Sequence, residues 1–161
     1  MRVYLGGPMF VAPEVRYNLW LAGELRDAGF EVYCPNESEP INDKTRTDIT
    51  ARKIYDADIE ALEQCHVYIY QVSEDSGTNW EAGYMDALNK HVDASRYLGV
   101  LGLATDIRLA QVPDMDRTGI ENQAFYINSF VVGGMQSSLG VVYSEDELIS
   151  ELHRIAAEHG L

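Results

Sequence analysis

Three carboxylates and one tyrosine have the types and surroundings that could support chemistry: Glu81, Asp75, Asp58 and Tyr4. Asp75 and Glu81 belong to one stretch, Ser73 to Lys90, that follows the apolar run His66 to Val72. That run reads as a buried strand, Asp75-Ser76-Gly77 as a turn, and Thr78 as the approximate start of a helix. A strand, a glycine turn and a helix N-terminus bring polar groups to the carboxyl edge of a sheet, where ligands bind in open α/β folds. Two readings of Glu81 stand side by side. Thr78-Asn79-Trp80-Glu81 matches a capping box, in which the glutamate reaches back to the N-cap amide. Alternatively, Trp80, Gly83, Tyr84 and Ala87 form the buried face, and Glu81 sits beside it at the mouth of a cleft.

Asp58 falls inside the apolar stripe Ile54, Ala57, Ala61, Leu62 and Cys65 of an expected helix over 47–64. A carboxylate on such a face must find partners or hold its proton, because burying an isolated charge costs several kcal/mol. Desolvation and a second carboxylate both raise an aspartate pKa, which suits a proton donor near neutral pH. Pairing with an arginine in the core is the structural alternative. Asp75 before a glycine is first of all a turn residue, and its functional reading is an acceptor for substrate hydroxyls. Tyr4 lies near the carboxyl end of the first strand, where tyrosine is ordinary core filling with a hydroxyl that needs a partner.

The elements that must position these groups alternate. Arg2 to Leu5 reads as a strand, and Gly6-Gly7-Pro8 after it permits close backbone approach but lacks dinucleotide-fingerprint spacing. A helix starting near Pro13 carries Val15, Leu19, Ala22 and Leu25 at helical spacing and ends at Gly29. Phe30 to Cys34 is the second strand and Asn36 to Asp43 a polar loop. A fourth strand is expected over Tyr97 to Leu101, a long loop over Ala104 to Gly119 and partial helix over Asn122 to Met135. A short strand near Gly140 to Val142 precedes a terminal helix, Glu145 to Glu158, with Ser144 as N-cap. Alternating strands and helices predict a doubly wound parallel sheet of about five strands with helices on both faces.

The totals narrow the function classes. A length of 161 residues fits a single domain spanning 1–161. The net charge of -14 argues against nucleic-acid partners, since no basic stripe could replace counterions. No apolar run approaches the roughly 18 residues of a membrane span. Two cysteines, Cys34 and Cys65, without ligand spacing predict no disulfide framework, and a cytoplasmic location is the simplest expectation. The four histidines show no ligand spacing, so no metal is expected.

Taken together, Tyr4-Leu5-Gly6-Gly7-Pro8, Asp58, the block Asp75-Ser76-Gly77-Thr78-Asn79-Trp80-Glu81-Ala82-Gly83-Tyr84 and the segment Ile127-Asn128-Ser129-Phe130 resemble the nucleoside 2-deoxyribosyltransferases. The resemblance runs from residue 3 to about residue 135. It implies a flavodoxin-like fold and transfer of a 2-deoxyribosyl group between nucleobases with retention, using no cofactor. Carried over by position, Glu81 would be the nucleophile, Tyr4 would orient it, and Asp58 would exchange a proton with the base. Asp75, Gly7 and Gly77 would contact the substrate. Asn128 would reach the sugar in a neighbouring subunit's site, since the family's sites are completed across subunits in homo-oligomers, dimers or hexamers. The substrates would be 2′-deoxynucleosides and free nucleobases. The nearest rival is an N-glycoside hydrolase of the same superfamily acting on deoxynucleosides or their 5′-monophosphates, and a binding module without catalysis is a third possibility.

Overall fold

The structure, a computed structural model, describes residues 1–38, 45–106 and 127–161. Five strands, β1 (Arg2–Gly6), β2 (Glu31–Tyr33), β3 (Val67–Gln71), β4 (Gly99–Leu103) and β5 (Val141–Val142), form one parallel sheet in the order β2-β1-β3-β4-β5. This is the flavodoxin-like order, in which the direction of winding reverses between β1 and β3. The helices are α1 (Ala12–Asp27), α2 (Ala51–Leu62), α3 (Ser76–His91), α4 (Ser129–Gln136) and α5 (Glu145–His159). A short 3-10 turn spans Pro35–Glu37.

Side-chain alternation along the strands divides the core into two layers. Val3, Leu5, Val67, Ile69, Leu101 and Leu103 face one side, where α1 and α5 cover them with Leu21, Leu25, Leu148 and Leu152. Tyr4, Tyr68, Tyr70 and Val100 face the other, against Leu62 of α2, Met85 and Leu88 of α3, and Val132 and Met135 of α4. The first layer is aliphatic. The second carries hydroxyls, so it needs polar partners.

Several sequence expectations shift. The fourth strand lies at 99–103, two residues later than expected, and α2 starts at Ala51 behind the cap Thr50, whose side chain accepts from the Lys53 amide. In α1 the buried stripe is Asn18, Leu21, Ala22 and Leu25, with Leu19 42% exposed. Asn18 can take a core position because it is fully engaged. Its amide donates to the Pro8 carbonyl at 3.0 Å and Asn36 Oδ1 at 2.8 Å, and its Oδ1 accepts from Gln71 Nε2 at 2.8 Å. Ser144 does cap the terminal helix, accepting from the Glu147 amide. The expected loop over 104–119 lies outside the described residues beyond Asp106, as does the loop 36–43 beyond Ser38. Among the described residues, no helix is long and apolar enough to cross a membrane, and Cys34 and Cys65 are free and buried.

Candidate active site

The sheet register builds the floor of the site. Tyr4 of β1 pairs with Tyr33 of β2 on one side and with Tyr68 of β3 on the other, so three tyrosines form a row across the switch point. Their rings pack at a tilt, with centroids 4.9 Å apart for Tyr4–Tyr33 and 5.3 Å for Tyr4–Tyr68. Two carboxylates descend onto this row from the helices above.

Glu81 arrives from α3. The helix begins at Ser76, two residues earlier than the sequence suggests, because Asp75 and not Thr78 is its N-cap. Asp75 Oδ2 accepts both the Thr78 amide and the Thr78 hydroxyl, each at 2.8 Å. The capping box centred on Thr78 therefore does not form, and Glu81 stands in the second turn of the helix. The buried residues of α3 are Thr78, Met85 and Leu88. Glu81 completes their spacing of three and four residues, so it lies within the stripe facing the sheet. The expected face of Trp80, Gly83, Tyr84 and Ala87 is wrong in phase: Trp80 is 69% exposed, and nothing lies within 4 Å of where a side chain at Gly83 would begin. Two of the four inward positions are polar, and this is why hydrophobicity misplaced the face.

Glu81 meets the tyrosine row with both oxygens. Tyr4 donates its hydroxyl to Oε1 at 2.9 Å, and Tyr68 donates to Oε2 at 2.8 Å. Burial pushes the Glu81 carboxyl up to about 7, with Asp58 and Asp75 adding to the rise and the two tyrosines opposing it. Burial, reinforced by the charge of Glu81, also raises the Tyr4 and Tyr68 hydroxyls well above the usual range, so both keep their protons and remain donors. Asp58 descends from α2 toward Tyr4 and Tyr33. Burial raises its pKa, while the hydroxyls of Tyr4 and Tyr33 hold it down. Tyr33 in turn is pushed up to about 12 by burial and then by Asp58. Tyr4 thus lies between two carboxylates of different helices.

The remaining candidates surround this centre unequally. Gly7 follows β1, and a Cβ there would meet the Gln71 carboxamide at 2.5 Å, so the room it leaves is filled by Gln71 of the Asn18 network. Gly77 lies in the first turn of α3, where an added Cβ would come 3.3 Å from Asp75 Oδ2. Asp75 Oδ2 is committed to the cap; among the described residues Oδ1 accepts no hydrogen bond. The turn is braced from below, since the Tyr70 hydroxyl lies 2.8 Å from the Ser73 carbonyl and 2.9 Å from Asn79 Oδ1 and gives its one proton to either, while Asn79 donates to the carbonyls of Ser73 and Asp75. Asn128 is exposed and caps α4, its Oδ1 accepting from the Phe130 amide at 2.9 Å. It shares a hollow with Glu74 and Asn79 on the β4 side of the turn. A groove of about 770 Å³ runs between α3 and α4, lined by Trp80, Gly83, Phe130, Gly133 and Gly134 among others. Glu81 does not line it. The apolar groove and the polar centre are separate features.

Tyr68 and Tyr33 stand beside Tyr4 at this centre, and the sequence reading passed over both. The alternation Val67-Tyr68-Ile69-Tyr70 was a usable signal, because Tyr68 and Tyr70 must share a face. Only the register with Tyr4 reveals which face matters. Among the described residues no group of His, Cys, Asp and Glu could hold a metal ion.

Comparison with known proteins places the chain in a family and matches its fold. Residues 3–130 match the family model described as nucleoside 2-deoxyribosyltransferase. An uncharacterized protein of Ureaplasma parvum, UU063, is 30% identical over 118 residues, covering 68% of this chain and 73% of the relative. Among solved structures, a conserved protein from Enterococcus faecalis V583 is 26% identical with a TM-score of 0.73, covering 96% of this chain and 98% of the other. A 2-deoxyribosyltransferase from Bacillus psychrosaccharolyticus, 18% identical with a TM-score of 0.63, covers 92% and 90% and shares the fold. The match from the first strand into α4 takes in Tyr4, Asp58, Asp75 and Glu81 together, and the chain belongs to the nucleoside 2-deoxyribosyltransferase family.

Proposed function

We propose that the protein transfers a 2-deoxyribosyl group between nucleobases through a covalent glycosyl-enzyme on Glu81. The observation that carries this reading is the suspension of Glu81 between the hydroxyls of Tyr4 and Tyr68 at the switch point, with Asp58 on the far side of Tyr4. Splitting an N-glycosidic bond builds positive charge on the sugar, and a carboxylate beneath the ring stabilises that charge and then captures it. Each Glu81 oxygen accepts one hydroxyl and keeps a lone pair for the anomeric carbon. In the first half-reaction a bond forms between a Glu81 oxygen and C1′ as the bond from C1′ to the base nitrogen breaks. Asp58 passes its proton to the departing base. In the second, an incoming base attacks C1′ from the vacated face, Glu81 leaves as a carboxylate, and Asp58 recovers a proton. Two inversions give net retention, the logic of retaining glycosidases.

Asp75 supplies its uncommitted oxygen to sugar hydroxyls in this reading, with Gly77 beside it in the first turn of α3, while Gly7 admits the Gln71 carboxamide and serves the site through that network. Asn128 serves a neighbouring subunit's site in a homo-oligomer; its exposure at the head of α4 is compatible with that role. Free nucleobases and 2′-deoxynucleosides are the substrates, with no cofactor.

The test supplies deoxyuridine with adenine and follows deoxyadenosine by chromatography. Deoxyadenosine is the expected product, and free sugar and base alone would overturn transfer in favour of hydrolysis. Glu81→Ala is expected to abolish turnover while nucleoside binding partly survives; unchanged turnover in that variant would remove Glu81 from the mechanism. A 2-fluoro-substituted nucleoside, which slows breakdown of the intermediate, is expected to add one glycosyl mass on Glu81.

A further inference from the structure

Glu81 has a second holder besides the expected Tyr4. Tyr68 is completely buried, and its hydroxyl lies 2.8 Å from Glu81 Oε2 and 3.1 Å from the Thr78 carbonyl, one turn back on the same helix. A phenol has one proton to give. With Glu81 ionised, both neighbours are acceptors, and the charged one takes the stronger bond. With Glu81 protonated, the carboxylic acid can donate to the Tyr68 oxygen while the Tyr68 proton turns to Thr78. The phenol therefore has a satisfied arrangement in either charge state without moving its ring.

The room for this hydroxyl comes from Gly6. A Cβ at that position would lie 1.9 Å from the Tyr68 hydroxyl oxygen and 2.2 Å from its ring carbon Cζ. Gly6 does not adopt a positive φ, so the requirement is space and not backbone conformation. A rigid, buried ring cannot swing away as a flexible side chain would.

We propose that Tyr68 is a positioning residue of the transfer reaction, orienting Glu81 and favouring its ionised form, and that Gly6 provides the space this requires. The proposal rests on the reading of Glu81 as nucleophile. The ionisable groups facing Glu81 are Tyr4 from β1, Tyr68 from β3, Asp58 from α2 and Asp75 at the head of its own helix, with Tyr33 of β2 also within electrostatic reach. Asp58 and Asp75 oppose ionisation of Glu81; the hydroxyls of Tyr4 and Tyr68 favour it. Removing the Tyr68 hydroxyl leaves Tyr4 alone on the favourable side.

The experiment compares the pH dependence of kcat for deoxyuridine-to-adenine transfer in the unaltered protein, Tyr68→Phe and Gly6→Ala, with Glu81→Gln as control. Tyr68→Phe is expected to move the acid limb up by about one pH unit, so that kcat drops about 10-fold below the limb and recovers toward alkaline pH. Gly6→Ala, which displaces the hydroxyl from the opposite side, is expected to shift the limb in the same direction if its thermal melt remains cooperative. An unmoved limb in Tyr68→Phe, whether kcat is unchanged or lowered equally at all pH values, overturns the proposal. If Glu81→Gln keeps its turnover, the nucleophile reading fails instead. An inactive Glu81→Gln beside an unmoved Tyr68→Phe limb sinks the Tyr68 role alone.

Discussion

Asp75 holds Thr78 twice, through its backbone amide and its side-chain hydroxyl, and both bonds end on Oδ2 at 2.8 Å. The cap fixes where α3 begins, and so fixes the rotation that turns Glu81 toward the sheet. One carboxylate thus anchors the helix with one oxygen and can address a ligand with the other.

Substitutions at Asp75 are expected to separate these two duties. Asp75→Ala removes the cap and leaves the buried Thr78 hydroxyl without its acceptor, at a cost of about 1–2 kcal/mol. For a chain of this size that lowers Tm by about 2–4 °C per kcal/mol. Asp75→Asn keeps a good capping oxygen and should melt close to the unaltered protein while its transfer rate falls. Differential scanning calorimetry beside a kinetic assay checks both halves.

Asp58→Asn is expected to lower turnover by about 10²–10⁴-fold, the usual size of a general acid–base contribution. A donor whose base leaves readily without protonation should recover much of that loss. Activity of the unaltered protein should fall at alkaline pH as Asp58 loses the proton it donates, and that limb should be missing from the residual activity of the variant. The pH profiles of the two proteins with one donor provide the measurement.

Glu81 should also leave a mark on stability. Its pKa rises from the ordinary 4.5 in the unfolded chain to about 7 in the fold. Between those values the folded protein holds a proton that the unfolded chain has lost, so this group's contribution to stability falls as pH rises from about 4.5 through 7. Glu81→Gln has no such proton to lose. Relative to the unaltered protein it should gain stability across that window, by at most roughly 3 kcal/mol. Urea denaturation at pH 4.5 and pH 8 reads the difference.

A 5′-phosphate placed beside the Asp75 carboxylate would meet like charge in a partly dry site. Deoxynucleosides are therefore expected to exceed their 5′-monophosphates in kcat/KM by on the order of 10- to 100-fold. Asp75→Asn should narrow that gap. Parallel assays of deoxyuridine and its monophosphate test it, and a preference for the monophosphate would contradict the assignment.

The layered α/β architecture was legible because strands and helices alternate with clear periods. The polar groups on inward helix faces were legible only in part. Asn18, Asp58 and Glu81 each occupy a position on the sheet-facing side of a helix where an apolar residue is expected. Asp58 showed itself as an anomaly because its neighbours Ala57, Ala61 and Leu62 are apolar. Glu81 did not, because Thr78 shares its stripe and the conspicuous Trp80 points outward. Tyr68 was hidden for another reason. A tyrosine in a buried strand looks like core until the register shows that it stands beside Tyr4.

The first strand in the chain is an interior strand of the sheet, flanked by β2 on one edge and by β3 on the other. Its second edge stays unpaired until residues 67–71 arrive, and the Tyr4–Glu81 bond closes a separation of 77 residues. Long-range closure of this kind is slow compared with helix formation. Recovery of activity during refolding is thus tied to completion of the central sheet. A fragment ending before α3 would carry Tyr4 and Asp58 but never the carboxylate between its two hydroxyls.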